Sequence, residues 1–138
     1  MKITGQCHCG AVRFTALADP AKVFACHCAD CQIISGGPFR AVAPIPVEHV
    51  ELSGTPKNYV KVAASGNRRA QAFCGDCGTQ LFATEADAPK TLNIRLGCVN
   101  ERAQLKPRIQ VWHDSAMPWL PELASTPAHT QGRDSPLA

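Results

Sequence analysis

A mainly β fold is predicted by three features of the 138-residue sequence. Apolar and polar residues alternate in short runs of strand length. Turn signals separate those runs, drawing on eleven prolines and ten glycines. No segment keeps an amphipathic helical pattern through three turns.

The elements follow in order. Residues 12–17 alternate around Phe14 as a half-buried strand does, and Asp19-Pro20 ends the run. A second short strand is expected at 23–25, and only 30–34 has room for a helical turn. Gly36-Gly37-Pro38 then turns the chain into a strand at 39–43. Ser53-Gly54-Thr55-Pro56 precedes a strand at 59–63, and Ser65-Gly66-Asn67 breaks it. Further strands are expected at 81–83, 92–96 and 109–112, with Ala88-Pro89 between the first two. From 125 to 138 the chain is polar and interrupted by proline, so we read 1–124 as one domain and 125–138 as a flexible C-terminal tail.

Composition narrows the function classes. Hydrophobic residues at 45% and charged residues at 18% suit a globular core and exclude a disordered polyelectrolyte. Fourteen Lys and Arg against eleven Asp and Glu leave a net charge of +3, well short of a nucleic-acid scaffold. Prolines and charges interrupt every apolar run before the ~20 residues of a membrane helix, so no membrane partner is expected. Met1-Lys2-Ile3-Thr4-Gly5-Gln6-Cys7 has no secretory h-region, and a cytoplasmic location is the expectation.

Eight cysteines are many for a reducing compartment, where stable disulfides are rare. Seven of them form three tight groups, Cys7-x-Cys9, Cys26-x-Cys28-x-x-Cys31 and Cys74-x-x-Cys77, leaving Cys98 alone. That clustering favours thiolate metal ligation over a disulfide framework. Cys7 and Cys9, joined to the knuckle Cys74-Gly75-Asp76-Cys77-Gly78, would make a closed tetrahedral zinc site. It would close a loop of more than sixty residues and staple a small β domain. Cys26, Cys28 and Cys31 remain as a trio, and three protein ligands with one open position describe a catalytic zinc. Water, His27, Cys98 or an incoming thiol could fill that position. With Cys98 in it, both sites would be closed and purely structural. Zinc with three thiolates carries a formal charge of −1, which makes it a poor Lewis acid toward a carbonyl but a good holder of a deprotonated thiol.

These motifs resemble the glutathione-dependent formaldehyde-activating enzyme family, which includes the centromere protein V-like proteins. The resemblance runs from about Ile3 to Leu123. It is carried by Gly5-x-Cys7-x-Cys9-Gly10-x-Val12-x-Phe14, by Cys26-His27-Cys28-x-x-Cys31-Gln32 with Ser35-Gly36 and Phe39, and by Val50-x-Leu52-x-Gly54 with Tyr59. Phe73-Cys74-x-x-Cys77-Gly78-Thr79 and Val111-Trp112 with Pro118-Trp119-Leu120 complete it. The family implies a zinc-stapled β-tent of twisted antiparallel sheets, with Cys7, Cys9, Cys74 and Cys77 on structural zinc and Cys26, Cys28 and Cys31 on catalytic zinc. It thus implies two Zn²⁺ per chain. The implied reaction adds glutathione to formaldehyde, or a related thiol to a small aldehyde, and is classed as a carbon–sulfur lyase reaction. Where many members look like Gly-Thr/Ser-Leu-Asp, this chain has Gly97-Cys98-Val99-Asn100, which opens the question of substrate.

Two other readings come from different classes. Arg95-x-x-Cys98-Val99-Asn100 downstream of a cysteine knuckle is similar to the catalytic segment of B-type methionine sulfoxide reductases, although Thr79-Gln80-Leu81-Phe82 lacks that family's histidines. A non-catalytic zinc module could instead bind a protein or nucleic acid through Lys57, Lys61, Arg68 and Arg69. Aromatic residues at 6% leave few stacking platforms for nucleic acid. For a thiol-addition enzyme, Arg40, Arg68, Arg69 and Arg95 are candidates to grip substrate carboxylates, and His27, His49, His113 or water to donate the final proton. A homo-oligomer stays open.

Overall fold

The computed structural model describes residues 1–138 and is mainly β, with two sheets and one short α-helix. The smaller sheet orders β1 (Lys2–Gln6), β2 (Arg13–Leu17) and β5 (Val50–Ser53), all antiparallel. The larger contains β3 (Phe24–Cys26), β4 (Arg40–Pro46), β6 (Lys57–Val62), β7 (Arg68–Phe73), β8 (Gln80–Glu85), β9 (Thr91–Arg95) and β10 (Ile109–Val111). Its order is β10-β3-β4-β9-β8-β7-β6, and every pairing is antiparallel except β10 with β3. The helix α1 (Ala29–Ser35) contains the one helical turn expected from sequence. No helix is long and apolar enough to cross a membrane.

Inward faces explain the strands. In β1 and β2 the buried positions alternate, with Ile3, Gly5, Phe14 and Ala16 turned in. They meet Ile45, Leu81, Leu92 and Ile94 of the larger sheet, and Val12, Val23, Val99 and Leu105 close the rim. Only 30 of 138 residues are buried, so the core between the sheets is thin and cross-links between them carry weight.

Seven strands overlap the expected places, six with ends within two residues and β4 running three residues further, to Pro46. Three others, β1, β5 and β7, have no clear strand signal in the sequence. β1 carries one large apolar residue, β5 alternates over only four positions, and β7 (RRAQAF) is built on Ala70, Gln71 and Ala72. Alanine and glutamine have little strand preference of their own, and the ladders to β6 and β8 on both sides supply what propensity does not. β6 is an edge strand with Tyr59, Val60 and Val62 exposed, so it is not the half-buried strand its alternation suggests. Residues 125–138 are almost wholly exposed. Their backbone folds on itself through a bridge between His129 and Leu137 and an N–H of Ala138 donating to Ala128 O at 2.7 Å.

Candidate metal centres and the adjoining cleft

Cys7 follows β1, and Cys74 and Cys77 lie in the turn from β7 to β8. The fold brings these segments from different sheets together, with the Sγ atoms of Cys7, Cys9, Cys74 and Cys77 all within 4.8 Å of one another. Cys7–Cys9 is 3.6 Å and Cys9–Cys74 is 3.8 Å. Zn–S bonds of ~2.3 Å in a tetrahedron place sulfurs about 3.8 Å apart, so the quartet has the edge lengths of a zinc tetrathiolate. A disulfide would need ~2.05 Å.

The local hydrogen bonds favour thiolates. Val12 N–H donates to Cys7 Sγ at 3.3 Å, and the Thr79 hydroxyl lies 3.2 Å from Cys77 Sγ. Inside the knuckle, Cys74 N–H donates to Thr79 O and Gly78 N–H to Cys74 O. The Thr79 hydroxyl and amide hold the Cys77 thiol down to about 5. At Cys9 the Ala11 amide favours the thiolate, but the neighbouring Cys7 thiol, burial and the other two sulfurs outweigh it and push the pKa up to about 12. Four sulfurs this close cannot all ionise alone, and a dication resolves the conflict.

The trio is built by the β3–α1 corner. Cys26 ends β3, where its ladder partners are Arg40 of β4 and Val111 of β10. Cys28 is the N-cap of α1, its Sγ accepting from Cys31 N–H at 3.4 Å, and Cys31 lies in the first turn. Gly36 closes the helix in the left-handed region (φ 69°), donating to Gln32 O. The three Sγ atoms lie within 4.8 Å of one another with no fourth His, Cys, Asp or Glu in the group. The soft sulfur donors and their spacing fit zinc with one place free of protein. Burial opposes ionisation at both Cys28 and Cys31. At Cys28 the Cys31 thiol and amide, the Cys26 thiol and the Arg40 charge overcome it, and the pKa falls; at Cys31 burial and the neighbouring thiols win and the pKa rises.

His27, between Cys26 and Cys28 in sequence, is not in the trio. It is buried, with Nε2 2.7 Å from Gln110 Oε1, and its ring packs between Phe39 and His113. Cys98 joins neither group. It is buried, its thiol donates to Arg95 O at 3.1 Å, and burial pushes its pKa up to about 12. The reading of two closed sites therefore lacks its eighth ligand, and the cysteine of the sulfoxide-reductase reading is buried with its thiol engaged by a backbone carbonyl.

Three of the four cations suggested for a basic face have acidic partners. Lys61 pairs with Asp30 at 2.6 Å, Arg68 with Asp87 at 2.9 Å and Arg69 with Glu85 at 3.8 Å, while the Lys57 stem covers Gly75. Arg40 and Arg95 behave differently. Both line a cleft of about 670 Å³ together with Ile33, Phe39, Thr79 and Gln80. The trio meets this cleft through Arg40, the partner of Cys26 across the β3–β4 ladder, and through α1. Sequence reasoning had no signal by which to separate these two arginines from the other candidates. His49 lies elsewhere, in a depression beside Lys2, Glu48 and Glu51.

Comparison with known proteins bears on this arrangement. A family model described as glutathione-dependent formaldehyde-activating enzyme matches residues 2–115. A protein of Schizosaccharomyces pombe described as an uncharacterized lyase is 31% identical over 78 residues, which are 56% of this chain and 54% of that protein. The chain thus spans about half the length of this curated relative. The crystal structure of a Rhodobacter sphaeroides protein superposes with a TM-score of 0.58 at 18% identity, covering 78% of this chain and 99% of that one, and shares the fold.

Proposed function

The chain belongs to the glutathione-dependent formaldehyde-activating enzyme family, and from that membership we propose that it is a carbon–sulfur lyase-like enzyme adding a glutathione-type thiol to formaldehyde or a related small aldehyde. The observation that carries this reading is the trio Cys26, Cys28 and Cys31, three converging sulfurs with no fourth protein donor. In this reading Cys7, Cys9, Cys74 and Cys77 hold a structural zinc. The lyase description of the Schizosaccharomyces pombe relative supports the same reaction class.

A zinc ion in the trio supplies, when bound, a positive charge and a coordination place that keep a guest thiol deprotonated near neutral pH. The chain's own residues do the rest. α1 fixes Cys28 and Cys31 on one turn, so the third ligand, Cys26 at the strand end, completes a rigid tripod. Gln110 engages His27 Nε2, and the His27 ring is not among the converging donors. The cleft walls bring the reactants together, which for a two-reactant addition is the main advantage available. The thiol proton leaves, sulfur donates its pair to the aldehyde carbon, and the carbonyl oxygen takes up a proton to give a hemithioacetal. No electrons are gained or lost overall. We assign the proton donor to water or to His113, whose ring packs edge-on against His27.

The test separates the two cysteine groups. Cys28→Ser is expected to abolish thiol-dependent turnover and leave a folded protein with about one zinc by elemental analysis. Cys74→Ser is expected to unfold the protein or prevent its expression. Equal collapse of both variants would defeat the assignment of separate roles. In wild-type protein, X-ray absorption at the zinc edge is expected to show one of two zincs gaining a sulfur neighbour when glutathione is added.

A further inference from the structure

The cleft beside the trio contains a cationic cluster that thiol addition to formaldehyde does not require. Arg95 ends β9 and Arg40 begins β4, on strands that pair directly. Arg95 is 5% exposed, and its Nη2 donates to Gln71 Oε1 at 2.7 Å. Arg40 Nη1 donates to the same oxygen at 3.3 Å. One neutral amide oxygen thus serves two guanidinium groups. Neither arginine takes part in an ion pair, although Arg68 and Arg69 both do. Arg40 Nε, Arg95 Nε and Arg95 Nη1 are buried without any acceptor.

Such an arrangement is costly as it stands. A buried polar donor left unmade loses its hydration with nothing in return, and two like charges at one acceptor repel. Burial, then the Arg40 charge, lowers the Arg95 pKa to about 9. The trio does not cancel the charge. With zinc counted, its formal −1 stands against +2 from the arginines, so one negative charge is still missing. Unpaired guanidinium N–H donors suit the charged oxygens of a carboxylate. The cleft volume of about 670 Å³ lies within the range of small-molecule sites.

We propose that Arg40 and Arg95, positioned by Gln71, form a carboxylate-binding subsite in this cleft, so that the molecule held there is a small anionic reactant. That the anion is a reactant rests on the thiol-addition reading; the subsite itself does not. The carboxylate can come from the thiol, as in a cysteinyl peptide, or from the carbonyl partner, as in an aldehyde that carries an acid group.

The experiment is calorimetric titration of the zinc-loaded protein, wild type and R40Q, R95Q and R95K, at low salt with four probes. These are glutathione, its diethyl ester, glyoxylate and formaldehyde. If the thiol brings the carboxylate, wild type binds glutathione at least about tenfold more tightly than the diester, and R95Q and R40Q abolish the difference. If the carbonyl partner brings it, glyoxylate binds with the same dependence on Arg95 and formaldehyde shows none. R95K, which keeps the charge and loses the fork, is expected to fall between wild type and R95Q. Should R95Q fail to fold, R40Q and R95K carry the comparison. Less than about twofold loss for every carboxylate probe in the variants that fold overturns the subsite. Cobalt substituted for zinc reports separately on the trio through its thiolate absorption. A cobalt spectrum that responds to both thiols while carboxylates bind indifferently removes the subsite and keeps the reaction; Arg95-dependent carboxylate binding with a silent cobalt spectrum does the reverse.

Discussion

Gly5 and Cys98 show how much a single position can carry in a thin core. A Cβ on Gly5 would run into the Phe14 ring and the Cys98 carbonyl, and the carbonyl is backbone that cannot rotate aside. Gly5→Ala is therefore expected to destabilise the protein by at least about 2 kcal/mol in urea unfolding. Cys98 itself keeps its proton and donates to Arg95 O. Cys98→Ser retains that donor, so it should cost about 1 kcal/mol of stability and leave thiol–aldehyde addition within about twofold. A far larger loss of turnover in a folded, zinc-replete variant would put Cys98 in the chemistry. At this scale the two cysteine groups were legible, because closely spaced cysteine pairs are a local signature of a shared ion. The arginines were not. Arg40, Arg68, Arg69 and Arg95 look alike in sequence, and only their neighbours separate two paired surface cations from two that share Gln71.

Elements were legible where side chains alternate and obscure where partners decide. β7 shows the limit, since Ala70, Gln71 and Ala72 form a buried face only because β6 and β8 flank them. Its partner β8 ends on Glu85, whose carboxylate accepts from Lys90 N–H at 3.0 Å, Thr91 N–H at 3.3 Å and the Thr84 hydroxyl at 3.2 Å. The Lys90 amide foremost, with the other donors, holds Glu85 down to about 2. A carboxylate depressed on folding adds stability above its unfolded pKa of ~4.3 and loses it as pH falls toward the folded value. Glu85→Gln should thus lower stability at neutral pH and flatten its decline between about pH 4 and pH 2, as read from urea midpoints of variant and parent at each pH. An unchanged slope would show that the β8–β9 turn does not depend on the ionised carboxylate. α1 teaches the complementary lesson. Its position was legible from a short unbroken stretch ahead of Gly36, but the use of the Cys28 thiol as its N-cap was not.

For the whole molecule, the quartet joins the β1–β2 hairpin of one sheet to the β7–β8 turn of the other. With so small a core, that junction should set the stability of the fold. Removing metal with a strong chelator under reducing conditions is expected to lower the melting temperature by on the order of 10 °C or more, and added zinc to restore it. An unchanged melting curve after verified metal loss would show that packing alone holds the sheets. The hydrogen bonds of 127–138 stay within that segment, and we expect a chain ending at 126 to melt within about 2 °C of the full one. The sequence by itself determined the β class and the division of seven cysteines into four and three, because strand period and cysteine spacing are local properties of a chain. Only the tertiary structure decided that Cys98 stands apart, that His27 turns away, and that Arg40 and Arg95 face a cleft without an acid. Those outcomes depend on which distant strands lie side by side, and hydrogen-bond ladders between β4, β7, β8 and β9 set that adjacency, not the identity of any one residue.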